Sequence, residues 1–205
     1  VLPGGIDSHC HVAQVSSTGL VTADDFYSAT VSAAFGGTTT IIDFAAREGD
    51  DGVQRTIENR DKEWAGKCYC DHAYHILLRG VIPPPILAEL GEAIQSGYPT
   101  VKIFTTDITP SRRGRMVRFG DLWELFQVLA REGGLGVIHS EDNDIVMHMY
   151  DKLFREGRTG FEVLADDLEL HAKDLWDARH DPDVVENRQR PRRARDPELL
   201  DSFWN

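Results

Sequence analysis

Five short apolar runs alternate with segments of helical period, and this alternation constrains the fold more than any other property of the 205 residues. The runs lie at the segment leading into His9 and His11 and at residues 38–44, 71–78, 100–104 and 135–139. The helical segments lie at 26–35, 53–65, 86–97, 119–132 and 143–156. Runs such as Thr38-Thr39-Thr40-Ile41-Ile42 are β-branched almost throughout, as strands covered on both faces are. Apolar strands that alternate with helices over short, Gly-rich connections predict a parallel sheet with helices packed outside it. Periodicity alone leaves two arrangements open, a doubly wound sheet or part of an eight-stranded barrel. Asp24, Asp25 and Thr22 supply start chemistry for the first helix, and Gly36-Gly37 closes it. Pro83-Pro84-Pro85 stops the third strand, so the next helix is expected to begin at Ile86.

Polar residues cluster where a parallel α/β fold places its chemistry, at the carboxyl ends of strands. His9 and His11 are two residues apart, so in an extended chain both project from one face, with Cys10 on the other. Neutral imidazoles so placed can share one metal ion, or can simply bond to carbonyls at a strand end. Asp43 and His75, on the second and third strands, suit core hydrogen bonding better than ligation. Lys102 sits inside Val-Lys-Ile-Phe, where burial of an unpaired ammonium is costly and favours the neutral amine. A neutral lysine amine can add carbon dioxide to give a carbamate, an anionic two-oxygen ligand able to bridge two divalent ions. His139 ends the fifth strand. Cys68, Cys70, His72 and His75 read as strand-entry and strand residues rather than a zinc cluster. The run Arg112-Arg113-Gly114-Arg115 reads as a solvated loop face, with an anion contact as its alternative.

A net charge of −12, from 34 acidic and 22 basic residues, argues against nucleic acid as a partner. Three cysteines do not make a disulfide framework, and together with the lack of a visible leader they point to the cytoplasm. No apolar run is long enough to span a membrane, so a membrane is not expected as a partner. The chain opens without Met, which we read as a piece of a longer reading frame. Residues 1–165 form the expected α/β domain. Residues 166–205, dense in Arg, Asp and Pro, form a divergent tail that we expect to be poorly ordered.

Three motifs together carry a resemblance: His9-Cys10-His11 on the first strand, Thr100-Val101-Lys102-Ile103-Phe104 on the fourth, and Val137-Ile138-His139-Ser140-Glu141 on the fifth. With Gly36 to Phe44 they resemble the dihydropyrimidinase and hydantoinase branch of the amidohydrolase superfamily, over residues 3–164. The resemblance implies a partial (β/α)8 TIM-type barrel, about its first five β/α units. It also implies a site with two zinc ions, His9 and His11 on one, the carbamate of Lys102 bridging both, and His139 on the other. The implied activity is hydrolysis of a small cyclic amide or imide, with the full-length form a homo-oligomer. The family's remaining ligand His and its catalytic Asp come from later strands that these 205 residues do not include, so the chain alone is expected to be inactive. Where many members carry a carbonyl-polarising Tyr after the lysine, this chain reads Phe104-Thr105-Thr106-Asp107. The alternative is a dihydropyrimidinase-related interaction protein that keeps the barrel without the chemistry.

Overall fold

The computed structural model describes residues 2–15, 21–107 and 112–158. The chain divides into two compact units, Val1–Tyr150 and Asp151–Asn205. The second is described only to residue 158, so the boundary expected at 165 and the tail expected beyond it lie outside the described residues. Among the described residues, five strands, β1 (Gly5–Asp7), β2 (Thr38–Ala46), β3 (Asp71–Leu77), β4 (Thr100–Phe104) and β5 (Leu135–His139), alternate with five helices. These are α1 (Phe26–Phe35), α2 (Val53–Trp64), α3 (Pro84–Gln95), α4 (Phe119–Glu132) and α5 (Asn143–Arg155).

The sheet is wholly parallel, and its spatial order is its chain order, β1-β2-β3-β4-β5. That order decides between the two architectures left open by the sequence. A doubly wound sheet reverses direction at a switch point, whereas a barrel adds each strand beside the last. The described strands are an arc of a (β/α)8 barrel, its first five units.

Alternation along the strands sorts side chains into two layers. Ile41 and Ala45 of β2, Tyr74 and Ile76 of β3, and Val101 and Ile103 of β4 are buried with Ile57, Trp64, Leu90, Ile94, Leu125 and Leu129 of the helices, forming the core. The opposite face carries Phe44, His75, Lys102 and His139. Helix packing is therefore the main stabilising layer, and the inner face is left for polar groups.

Local chemistry explains the element ends. Asp25 caps α1 by accepting from Ser28 N at 2.8 Å, and Ser28 Oγ accepts in turn from Asp25 N. Thr22 plays no part in that cap; its hydroxyl accepts from Gln14 N at 3.0 Å, beside an antiparallel bridge between Val15 and Val21. Helix α3 begins at Pro84 rather than Ile86, because proline is tolerated in the first turn, where its missing N–H has no helical partner. The first strand is shorter than expected and stops at Asp7, before the histidines. No described helix is long and apolar enough to cross a membrane.

Candidate functional site

The site lies on the inner face at the carboxyl end of the strands, in an open cavity of about 1000 Å³ lined by His9, His11, Phe44, Lys102, Phe104 and His139 among others. Four side chains named from sequence, His9, His11, Lys102 and His139, thus come together. Asp43 also borders this space, while His75 is buried just behind it.

His9 and His11 follow the end of β1 on a segment whose alternation persists without the full ladder. Cys10 N still donates to Ile42 O at 3.2 Å, and Cys10 packs on the core side. The two imidazoles meet edge to face with ring centroids 5.5 Å apart. His11 stacks on Phe44 at 4.3 Å, and His9 packs against the same ring at 4.8 Å. Burial, with the nearby Lys102 charge, holds both imidazoles below their usual pKa; Asp43 partly opposes this at His11. Both are therefore neutral near pH 7, with lone pairs available. Two imidazoles bound at about 2 Å to one tetrahedral ion place their ring centroids roughly 5 Å apart, so this pair fits a divalent metal.

Two buried groups, Asp43 and His75, and the largely covered Arg60 hold the segment in place. The Asp43 carboxylate, 1% exposed, accepts from Arg60 Nε at 2.9 Å, from Trp64 Nε1 at 3.1 Å and, at a long 3.5 Å, from Val12 N. Arg60 Nη2 also donates to Val12 O at 2.7 Å, so the pair grips both polar groups of one peptide-bearing residue. On the other side of the histidines, His75 Nε2 bonds to Ser8 O at 2.8 Å and its Nδ1 to Thr100 Oγ1 at 2.7 Å. A carbonyl only accepts, so Nε2 carries the proton and Nδ1 accepts from the threonine. Both ring nitrogens of His75 are thereby taken, and Asp43 is saturated with donors. Each is a hydrogen-bonding support, the role expected from sequence.

Arg60 was not anticipated, yet the sequence held a signal. Val53, Ile57, Arg60 and Trp64 follow helical spacing, so Arg60 occupies a core-facing position where a charge needs a buried partner. Thr100, which orients His75, and Arg79, which matters below, carry no comparable signal.

Lys102 is 5% exposed, with Nζ 5.2 Å from the Phe104 ring centroid, and no described carboxylate is close enough to pair with it. Burial lowers its pKa, and the more distant Glu141 opposes the shift. A buried, unpaired amine is the state that favours the neutral, nucleophilic form. His139 is about a third exposed; its Nε2 lies 2.9 Å from Glu141 Oε1, and Thr105 N and Oγ1 donate to its carbonyl at 2.9 and 3.1 Å. Among the described residues no three His, Cys, Asp or Glu side chains form a metal-ligating cluster by themselves. Among the described residues, a three-ligand set at this site would have to include Lys102. The cysteines are free; Cys68 Sγ lies 3.6 Å from His72 Nδ1, and His72 stacks on Trp64 on the helix side of the sheet.

The class defined here is an α/β barrel portion with a histidine- and lysine-lined cavity at the carboxyl ends of its strands. The comparisons with known proteins narrow it. No protein-family model matches the chain. It is 34% identical over 163 residues to a D-hydantoinase of Geobacillus stearothermophilus and 31% identical over 166 residues to a dihydropyrimidinase of Dictyostelium discoideum. These alignments cover 78% and 79% of this chain but only 33% and 31% of the relatives. A solved D-hydantoinase structure superposes with a TM-score of 0.70 at 32% identity, over 77% of this chain and 33% of that one. Sequence and fold agree that the chain is similar to a barrel portion of hydantoinases and dihydropyrimidinases, and the matched part spans about a third of the length of those relatives.

Proposed function

We propose that the protein carrying this chain is a metal-dependent hydrolase that opens small cyclic amides or imides by adding water across a ring C–N bond. The observation that carries the reading is the pairing of two neutral, pre-positioned imidazoles with a buried, unpaired lysine in one cavity. His9 and His11 would hold one ion, Lys102 as its carbamate would bridge to a second, and His139 would turn from Glu141 to the second ion. Zinc suits the nitrogen donors and the tetrahedral spacing. Divalent ions bound there supply Lewis acidity toward a carbonyl and lower the pKa of water.

The chain's own residues do the rest. Asp43, Arg60 and His75 fix the histidine segment from both ends, so that ligation needs little rearrangement. Phe44 and Phe104 keep the inner wall apolar beside the ligands. The reaction breaks the ring C–N bond, delivers the water oxygen to the carbonyl carbon and returns a proton to the departing nitrogen, leaving a carboxylate. We place the protein in the cytoplasm, as a homo-oligomer in its full-length form, acting on a small cyclic amide rather than nucleic acid or membrane.

The test is metal analysis of the full-length protein beside His9→Ala and Lys102→Ala, with ring opening of hydantoin and dihydrouracil followed by loss of ring absorbance. The reading expects bound metal in the parent, loss of at least half of it in each variant, and turnover in the parent alone. Undiminished metal in both variants removes the ligand assignment, and a metal-loaded parent without turnover favours the non-catalytic alternative.

A further inference from the structure

In a chain of net charge −12, four arginines line the same cavity as the histidines: Arg60, which is paired with Asp43, and Arg79, Arg112 and Arg115. We propose that Arg79 and Arg115 form a carboxylate-binding subsite on the cavity wall, and that the cyclic amide this protein takes carries an anionic substituent. The second half rests on the hydrolase reading; the first does not.

The two arginines come from different strand ends and are brought together by backbone contacts. Arg79 follows β3, and Arg115 lies on the loop after β4. Gly80 N donates to Arg115 O at 3.0 Å, and Gly80 adopts φ of +63°. A Cβ at Gly80 would fall 2.6 Å from Gly114 O, so the two backbones touch in a way only glycine permits. The loop is held from its other side as well. Asp107 Oδ1 accepts from Arg115 N at 2.9 Å and from Met116 N at 2.8 Å, and Val117 N donates to Phe104 O at 2.9 Å. The backbone of Arg115 is therefore pinned beside Gly80, next to Arg79, and both side chains line the cavity.

Placing like charges together costs free energy unless an anion joins them. Burial holds the Arg115 pKa down, with the Arg79 and Arg112 charges adding to the effect and Glu48 opposing it. Among the described residues the side chain of Arg115 has no hydrogen bond or ion pair. Arg79 has one ion pair, Nη1 to Glu48 Oε1 at 3.1 Å, and its buried Nε has no hydrogen-bond partner. Glu48 is 72% exposed, a mobile kind of counter-ion that a ligand carboxylate can displace. A planar carboxylate matches guanidinium donors in fork geometry, which makes it the anion that fits.

The experiment measures binding of three probes to the full-length protein by calorimetry: hydantoin bearing a carboxymethyl group at C5, the C5-methyl analogue, and the ring-opened N-carbamoyl alanine. The expected preference for the charged over the uncharged ring is on the order of tenfold or more, since hydrogen bonds to charged groups are worth about that much. It should fall toward unity in R79Q/R115Q and persist in part in R79K/R115K. Glu48→Gln should strengthen binding of the charged ring several-fold, a gain that no folding defect can imitate. Equal affinity for both rings in the parent overturns the proposal, as does a preference that survives R79Q/R115Q. Arg-dependent binding of the ring-opened probe alone would assign the subsite to the product carboxylate and overturn the substrate half. Ring opening of the two hydantoins tests the hydrolase reading by itself: its absence for both the charged and the uncharged ring, with an Arg-dependent preference intact, removes that reading and leaves the subsite standing.

Discussion

Asp43→Ala is the perturbation that most directly tests how the histidine segment is held. The carboxylate is almost fully buried and serves Arg60, Trp64 and Val12, so its removal leaves the Trp64 indole N–H without an acceptor in a side chain with no exposed surface. It also leaves the Arg60 guanidinium charged in a site where its side chain is 13% exposed, with Glu63 and Val12 O as remaining partners. Stranding one member of a buried pair costs about 3–5 kcal/mol, and the surviving partners of Arg60 place this case near about 3 kcal/mol. With a urea m-value of about 2 kcal/mol/M, the midpoint should drop by roughly 1.5 M. Asp43→Ala combined with Arg60→Met removes the stranded charge and should recover at least about 1 kcal/mol. A midpoint shift below about 0.3 M at unchanged slope, or a double variant no better than the single, would refute the idea that this pair bears the segment.

Lys102→Met should stabilise the metal-free protein at neutral pH. The folded-state pKa of Lys102 is lowered, so the unfolded chain binds more protons between that value and the usual 10.5; parent stability should rise with pH through that window, and the variant should lack the rise in a series of thermal midpoints. His9 and His11 are likewise lowered from 6.5, so acidification through that value and below should destabilise the metal-free parent, and His9→Asn with His11→Asn should flatten the same curve. Gly80→Ala forces a side chain into positive φ against Gly114 O and should cost about 1–3 kcal/mol by urea titration, with weakened binding of anionic probes.

The barrel was legible because its signal is local and repeated: β4 and β5 have the expected bounds, as do α1 and α4, since each couples a periodic apolar run to a clear stop such as Gly133 at φ of +79°. Choosing a barrel over a doubly wound sheet was not legible from periodicity, because strand order is a long-range property. The same divide runs through the site. Strand-end position and the two-residue spacing pointed to His9 and His11, and an odd charge in an apolar run pointed to Lys102. The grip on Ser8 and Val12 depends on pairings 67 and 48 residues apart, which a single sequence does not display. Arg79 escaped notice for a related reason: its neighbour Arg115 is set beside it by a backbone contact between Gly80 and Arg115, not by any local pattern.

The shortness of β1 gives these distant contacts their weight. Three residues of ladder, with a register shift between Gly5 and Ile6, cannot by themselves hold a histidine pair that begins two positions past the strand. Immediately beyond it the chain must also leave the sheet, and Ala13 does so at φ of +47°, an unusual conformation for a residue with a side chain. A segment between a three-residue strand and a strained turn would ordinarily sample many positions, and each alternative would weaken a metal site whose donors must be placed within about half an ångström. Here the flanking residues Ser8 and Val12 are tied to His75 and to the Asp43–Arg60 pair, which themselves sit on β2, β3 and α2 in the best-paired part of the fold. Rigidity is thus transferred from β2, β3 and α2 to the histidine segment through buried polar contacts. For this reason a conservative change such as His75→Phe, which keeps the ring's bulk but loses its bond to Ser8 O, should loosen the histidine pair and lower metal affinity while barely moving the stability of the apolar core.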